Sequence, residues 1–406
     1  MKKPKLLIVS RTTIYHHQAG GVETQLENLL NYLKDYFDIL VLTTALPRKT
    51  GTWKTNQTRV FKGVKYTFLK DTLPGEYGYS LYEALFWQIP FKRNLNSLGK
   101  SFRKKAGEYY KNNLKGSYPL VLSQSSSAQD FIITDEHLIL INHGTTLNEL
   151  KSRFKGIKSL KDFIRFFALD LPVLTYEYLV NNPKLFKKAS LIVLVSKTLK
   201  KDFESQHGFK DKTLVIPNGI DTNLFKPKKK KRDFTVLYFG RIDSEKGIYD
   251  FLEVAKSLPK VTFEVFGSGP DQEDFALKAR KLENVHYFGA VPNTEIAKKL
   301  SNSHIFLFLT KRKEGMPMSI LESLSSGCVV VSTLKVPSLS KRTGYVYVSN
   351  TKSAKKAINK LYNNLNEFKD LSKNARMYAL DNYSYKSMGE SYLKILKKLL
   401  KGSPLK

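Results

Sequence analysis

FTVLYFGRIDSEKGIYDFLEVAKSL, residues 234–258, decides the fold. Its opening run, FTVLYFG (234–240), is apolar and β-branched or aromatic, without polar alternation. That pattern suits a strand buried on both faces, as in a parallel sheet. Its closing run, GIYDFLEVAKSL (247–258), puts Ile248, Phe251, Leu252, Ala255 and Leu258 on one helical stripe. Two cations, Arg241 and Lys246, stand in the turn between strand and helix.

The same unit recurs along the chain. KLLIVS (5–10), DILVLTT (38–44), YPLVLSQ (118–124), LILIN (138–142) and LIVLVS (191–196) form one series of short apolar runs. VTFEVFG (261–267), HIFLFL (304–309) and CVVVS (328–332) continue the second series. Helical periodicity lies between them: Val22, Leu26, Leu29, Leu30, Leu33 and Phe37 fall on one stripe. Two consecutive strand–helix series predict an α/β chain with two doubly wound, Rossmann-like parallel-sheet domains. A chain of 406 residues is also too long for one ordinary core. The Pro-Asn-Gly turn and lysine run of IPNGIDTNLFKPKKKKR (216–232) mark the boundary. The expected domains are 1–214, 215–380, and a C-terminal segment, 381–406. In that segment Tyr392, Ile395 and Leu399 form a stripe that suits packing back on the first domain.

Composition bounds the function. Apolar residues make up 41% of the chain and aromatics 12%, enough for real cores. Lys and Arg total 68 against 36 Asp and Glu, a formal charge of +32, which biases association towards phosphorylated ligands, acidic lipid or nucleic acid. The single cysteine, Cys328, sits in an apolar run and reads as a core residue, so no internal disulfide is expected. LLIVS near the N-terminus is too short for a signal peptide, and no run approaches a spanning helix. A cytoplasmic protein is expected, with any membrane contact peripheral.

In folds of this kind ligands sit at the C-terminal ends of strands, so the residues following each strand carry the chemistry. Gly20-Gly21 precedes the first amphipathic helix, where glycine lets an anion approach free N–H groups; Gly-Gly before a helix is also an ordinary turn. His16 and His17 share that loop and receive no role. His143-Gly144 follows LILIN, where a histidine suits a hydrogen bond to a sugar oxygen or general-base work, or a plain structural place. Arg241 and Lys246 together suit a diphosphate, or solvated surface. KEGMPMSILE (313–322) follows HIFLFL. Ser319-x-x-Glu322 fits a capping box, with Glu322 purely structural. Alternatively Pro317 opens the helix, Glu314 lies above its N-terminus, and both carboxylates accept hydrogen bonds from sugar or ribose hydroxyls while free N–H groups hold phosphate. Gly327 then ends the helix.

These pieces in this order (GGVE, HG, VS with PNGID, FGRIDSEKG, VFGSGP and EGMPMSILESLSSG) resemble the group 1, family 4, retaining glycosyltransferases nearly end to end. The resemblance implies the GT-B fold: two Rossmann-like domains facing a cleft, with a C-terminal helix returning to the first. It implies a metal-independent, hexosyltransferase-type enzyme with no cofactor, moving sugar from a nucleotide sugar to a glycan, polysaccharide, glycoconjugate or lipid-linked acceptor. By position, Gly20 and Gly21 match the donor-phosphate loop and His143 the active-site histidine. Arg241 and Lys246 match the diphosphate-binding pair. Glu314 matches the glutamate facing the donor sugar, and Glu322 the one on the ribose. Gly267 of VFGSGP and the backbone around Met316, Pro317 and Met318 join the donor site. Met316, where the family often has an aromatic, and the serine-rich SLSSG depart from the pattern, which blurs sugar choice.

Two basic stretches interrupt that pattern, 92–115 and 151–188. In the second, Ile157, Leu160, Ile164 and Phe167 form an apolar stripe beside Lys158, Lys161 and Arg165. Such a segment suits an anionic membrane surface, or a core helix with solvated lysines. A non-enzymatic nucleic-acid binder would account for the charge but not for the residues at the strand ends, and no zinc spacing or aromatic RNA motif supports it, so no nucleic-acid partner is expected. A GT-B nucleotide-sugar epimerase is the remaining enzymatic alternative.

Overall fold

The computed structural model describes residues 3–16, 20–45, 54–70, 100–155, 157, 159–228 and 233–402. The lysine run at 229–232, residues 92–99, His17 and Lys158 lie outside these, as do the side chains of Lys161 and Arg165.

The chain forms two compact units. The first comprises Met1–Pro217 with Met388–Lys406, and the second Asn218–Ser387. The first holds strands β1 (Lys5–Val9), β2 (Asp38–Thr44), β3 (Thr58–Phe61), β4 (Val64–Leu69), β5 (Leu120–Gln124), β6 (His137–Asn142), β7 (Leu191–Leu194) and β8 (Thr213–Val215). They make one sheet in the order β3-β4-β2-β1-β5-β6-β7-β8, parallel except for the β3–β4 pair. The second unit holds β9 (Thr235–Phe239), β10 (Thr262–Phe266), β11 (Val285–Tyr287), β12 (Ile305–Phe308), β13 (Val329–Ser332) and β14 (Tyr345–Tyr347). Their order is β11-β10-β9-β12-β13-β14, parallel throughout.

Continuous apolar runs become central strands because both faces of each sheet are covered by helices. Leu6, Leu7, Ile8 and Val9 of β1 and Val236 and Leu237 of β9 have no exposed surface. The stripe Ile248, Phe251, Leu252, Ala255 and Leu258 is buried in the second core as its spacing requires. Met388, Tyr392, Ile395, Leu396 and Leu399 of the last helix, Tyr385–Leu400, join the first unit's core.

Each sheet reverses its winding direction once. In the first unit the reversal lies between β1 and β5, and in the second between β9 and β12. At such a point the loops leaving adjacent strands diverge to opposite faces and open a crevice at the strands' C-terminal ends.

Candidate functional site

In the second unit, the loops after β9 and β12 flank the reversal. The β9 loop makes a short 3-10 turn, Ser244–Lys246, capped by the Asp243 carboxylate, whose Oδ1 accepts from the Glu245 N–H at 3.0 Å. Gly247 then takes φ +75°, and a Cβ there would lie 1.9 Å from the Leu309 carbonyl. That close approach binds the β9 loop to the β12 loop. Lys311 N–H donating to the Glu245 carbonyl at 2.8 Å, and Arg312 paired with the Glu245 carboxylate at 3.2 Å, reinforce it.

The juxtaposition brings Lys246 and Glu314 together, 68 residues apart in sequence. The Lys246 ammonium donates to Glu314 Oε1 at 2.7 Å, and Thr310 Oγ1 donates to the same oxygen at 3.1 Å. The ammonium also lies 5.6 Å from the centre of the Phe308 ring. Both charged side chains are largely shielded, at 21% and 17% exposure. Arg241 is more open, its Nε 3.4 Å from the Asp243 carboxylate. Tyr238 fixes the loop's exit by donating its hydroxyl to the Arg241 carbonyl at 2.8 Å.

The helix after Glu314 runs Met318–Ser325, with Pro317 as its N-cap. Proline therefore stands one position before the first helical residue, not at it. Ser319 lies inside the helix, so the capping-box reading of Ser319 and Glu322 fails. The cap supplies no side-chain acceptor, and the Met318 and Ser319 N–H groups have no partner among the described residues. Such a helix start attracts an anion. Met316 and Met318 side chains are buried, and the Met316 carbonyl accepts from the buried Asn218 amide at 3.2 Å. Gly327, at φ +69°, ends the helix.

Glu322 is 3% exposed and makes no ion pair or side-chain hydrogen bond among the described residues. Desolvation alone pushes its carboxyl up to about 8. A buried carboxyl left without partners among the described residues, beside a helix start that also lacks them, is a candidate ligand-binding group. Gly267 has a different reason to be glycine. It adopts φ +136°, and a Cβ would sit 1.8 Å from the Gly240 carbonyl, so the ends of β9 and β10 pack backbone on backbone.

In the first unit, Gly20 is the N-cap of the helix Gly21–Leu33. The Gly20 N–H donates to Glu23 Oε2 at 2.8 Å, and Thr12 hydrogen-bonds the other Glu23 oxygen. A carboxylate of the chain itself therefore already occupies part of this helix start. His16 is structural: its Nδ1 accepts from the Thr13 N–H at 2.9 Å and its Nε2 donates to the Thr44 carbonyl at 3.0 Å.

His143 follows β6 at the strand tip. Its Nε2 donates to Gln124 Oε1 at 2.9 Å, Gln124 Nε2 donates to Gln25 Oε1 at 2.9 Å, and Gln25 Nε2 reaches Met388 Sδ at 3.6 Å. This chain fixes the tautomer, leaving Nδ1 as an acceptor. Burial depresses the imidazolium to about 4, so His143 is neutral across the physiological range. Gln124 also lines a pocket of about 190 Å³ with Ser10, Arg11, Thr12, Arg103 and Ser126. In a Gln124→Glu variant, the carboxylate facing Nε2 is expected to raise the His143 midpoint by roughly 1–3 pH units, read by NMR titration of the imidazole. An unmoved midpoint would show that Gln124 does not control this ring.

Sequence reasoning did not find Gln124, Gln25, Thr310 or Asn218. Gln124 had one available signal, as the last residue of a strand at the reversal point. The other three are recognisable only through partners distant in sequence.

Residues 219–378 match the family model for group 1 glycosyl transferases. Over nearly its whole length the chain is 24% identical to an uncharacterized glycosyltransferase of Methanocaldococcus jannaschii, covering 98% of this chain and 100% of that one. Among solved structures, sucrose-phosphate synthase from Thermosynechococcus elongatus superposes with a TM-score of 0.73 at 16% identity, covering 99% of this chain and 100% of that one. The Anabaena protein HepE, solved with UDP and glucose, gives 0.68 at 16% identity, covering 97% and 99%. These likenesses establish the GT-B fold.

Proposed function

We propose that the chain is a group 1 glycosyltransferase, the family whose model matches residues 219–378, and that it moves a hexosyl group from a nucleoside-diphosphate sugar to a hydroxyl of a glycan, polysaccharide, glycoconjugate or lipid-linked acceptor, retaining the anomeric configuration. One observation carries the reading. The Lys246–Glu314 pair, an uncapped helix start and the buried Glu322 all follow the two strands at one reversal point. The Anabaena neighbour's UDP and glucose support a nucleotide-sugar donor.

In this reading Arg241 and Lys246 bind the diphosphate, and the Met318 and Ser319 N–H groups add the helix-start field. Met316 and Pro317 shape that approach, and Gly267 keeps the neighbouring loop low. Glu314 accepts from sugar hydroxyls and Glu322 from the ribose. In the first unit, His143 is the proposed sugar-binding group, through Nδ1, and Gly20 and Gly21 the proposed anion-approach loop, which Glu23 partly fills. The bond from the anomeric carbon to the diphosphate oxygen breaks, and the acceptor oxygen bonds the same carbon on the same face. The acceptor's proton passes to the leaving phosphate, whose charge the two cations stabilise without a metal or other cofactor. We place this activity in the cytoplasm.

Arg241→Ala and Glu314→Ala are each expected to lower donor turnover at least about tenfold, assayed with a chelator present and with the product anomer determined. Full activity in both variants, or an inverted product, would remove the reading. Sugar isomerised without any acceptor would favour an epimerase instead.

A further inference from the structure

One segment of the first unit is amphipathic the wrong way round. An unbroken helix runs from Leu160 to Lys188, as Leu160–Arg165, a π turn Phe166–Asp170, Leu171–Tyr176, a second π turn Glu177–Asn181, and Asn182–Lys188. π turns hold more residues per turn than α turns, so rows at four-residue spacing stay aligned along this helix. The inward row is Phe166, Asp170, Leu174 and Glu177, all buried. Two of the four are carboxylates. Each is compensated by an arginine from elsewhere in the unit, Asp170 by Arg153 at 2.5 Å and Glu177 by the buried Arg103 at 2.9 Å.

The outward face is apolar. Leu160 is 75% exposed, Leu179 63%, Ile164 57% and Tyr176 56%, with the exposed Phe163 and Phe167 rings tilted against each other, centres 4.5 Å apart. Ala168 and Pro172, also exposed, fill the row between Ile164 and Tyr176. The sequence left two readings of this stripe, membrane surface or core, and its exposure removes the core reading. Large side chains so arranged leave a contiguous apolar surface in water unless something covers it.

We propose that this face is a peripheral membrane-docking surface, and that Leu160, Phe163, Ile164, Phe167, Tyr176 and Leu179 enter the interfacial layer of an anionic bilayer. Charge selects the occupant. Residues 151–188 carry nine Lys and Arg against three Asp and Glu, and two of those three acids are the buried, compensated pair. Lys184 and Lys187 are exposed near the end of this helix, and Lys151 is exposed on the preceding helix, Thr146–Lys155. An apolar face within a basic stretch of sequence matches acidic headgroups over acyl chains. A second copy of the chain is disfavoured, because it would bring +32 against +32. Among the described residues no helix is long and apolar enough to cross a membrane, which fits a surface contact. The proposal involves neither donor nor acceptor, so its failure would leave the proposed function standing.

The test is vesicle flotation of the full chain without substrates. Phosphatidylglycerol–phosphatidylcholine vesicles are compared with phosphatidylcholine alone, at low and high salt. The wild type is expected to float with the anionic vesicles and to keep part of that binding in high salt, since the apolar component is not screened. A triple variant, Leu160→Ser, Ile164→Ser and Leu179→Ser, is expected to bind at least about tenfold more weakly and to detach fully in salt. Its melting temperature should match the wild type, because the substituted side chains are exposed. In a separate variant, Leu179→Cys carries a polarity-sensitive fluorophore; Cys328, the only native cysteine, is buried, so labelling is selective. Its emission is expected to shift blue on anionic vesicles. Unchanged emission, equal flotation of wild type and triple variant, equal binding to neutral vesicles, or no wild-type binding at low salt would each overturn the proposal. So would a wild-type dimer that the triple variant converts to monomer, which would assign the face to a second copy.

Discussion

Lys246→Ala is expected to lower kcat/KM for sugar transfer by about 10²–10³-fold, the loss when one preorganised charge facing a leaving group is removed. The ammonium is held by Glu314 and the Phe308 ring, on a loop whose exit Gly247 packs against the Leu309 carbonyl. Its position is therefore set before any ligand arrives. A lysine has three donors, so in the proposed site it can serve Glu314 and a phosphate oxygen together. Stability should also fall, because removing Lys246 leaves the largely shielded Glu314 carboxylate with only the Thr310 hydroxyl beside it. Lys246→Arg should not restore the rate, since a planar guanidinium cannot reproduce a point charge in this gap. With Glu314→Gln in a double-mutant cycle, the two losses should be less than additive, because each variant removes the same contact. Wild-type kinetics in Lys246→Ala would separate this pair from the chemistry altogether.

The second large effect belongs to Glu322. Its folded-state carboxyl is raised to about 8 from an ordinary 4.5. Below about 4.5 it is protonated in both folded and unfolded chains and contributes no pH dependence. Between there and about 8 the unfolded chain releases the proton while the folded one keeps it, so stability falls by about 1.4 kcal/mol per pH unit. Above about 8 the loss levels off. Glu322→Gln removes this titration. The variant should melt with the wild type near pH 4.5, and roughly 5–10 °C above it at pH 8, by calorimetry. The same substitution should weaken the nucleotide sugar by about tenfold or more, since hydrogen bonds to an ionised carboxylate are the stronger kind. Wild-type donor affinity should rise with pH towards about 8 and then flatten, with one proton released on binding at pH 7. Glutamine should abolish that slope. A glutamine variant with unaltered pH dependence of both stability and donor affinity would show that Glu322 does not titrate in this window.

Local pattern made the elements legible. Apolar runs without alternation became central parallel strands, and 3.6-residue stripes became the helices that cover them, because burial on both faces or on one stripe is a property of neighbouring residues. The strand-end rule located Arg241, Lys246, Glu314 and His143 before any coordinates, because parallel winding sends those loops to one edge of each sheet. Position within the helix was less legible. Ser319 and Glu322 have capping-box spacing, yet Pro317, fixed in φ and without an N–H, caps the helix and moves Ser319 inside.

By itself, then, the sequence determined the two α/β units, the charged and histidine residues placed at the strand tips and the excess of positive charge. Only the tertiary structure decided which tips meet: strand order, absent from local pattern, set β9 beside β12 and so Lys246 against Glu314. It alone decided that Gln124 orients His143, that Glu322 lies buried without a partner among the described residues, and that the apolar stripe at 160–179 faces outward. The reason is physical: hydrogen bonding, desolvation and exposure depend on residues distant in sequence but near in space, whereas helix and strand periodicity depend on neighbours along the chain.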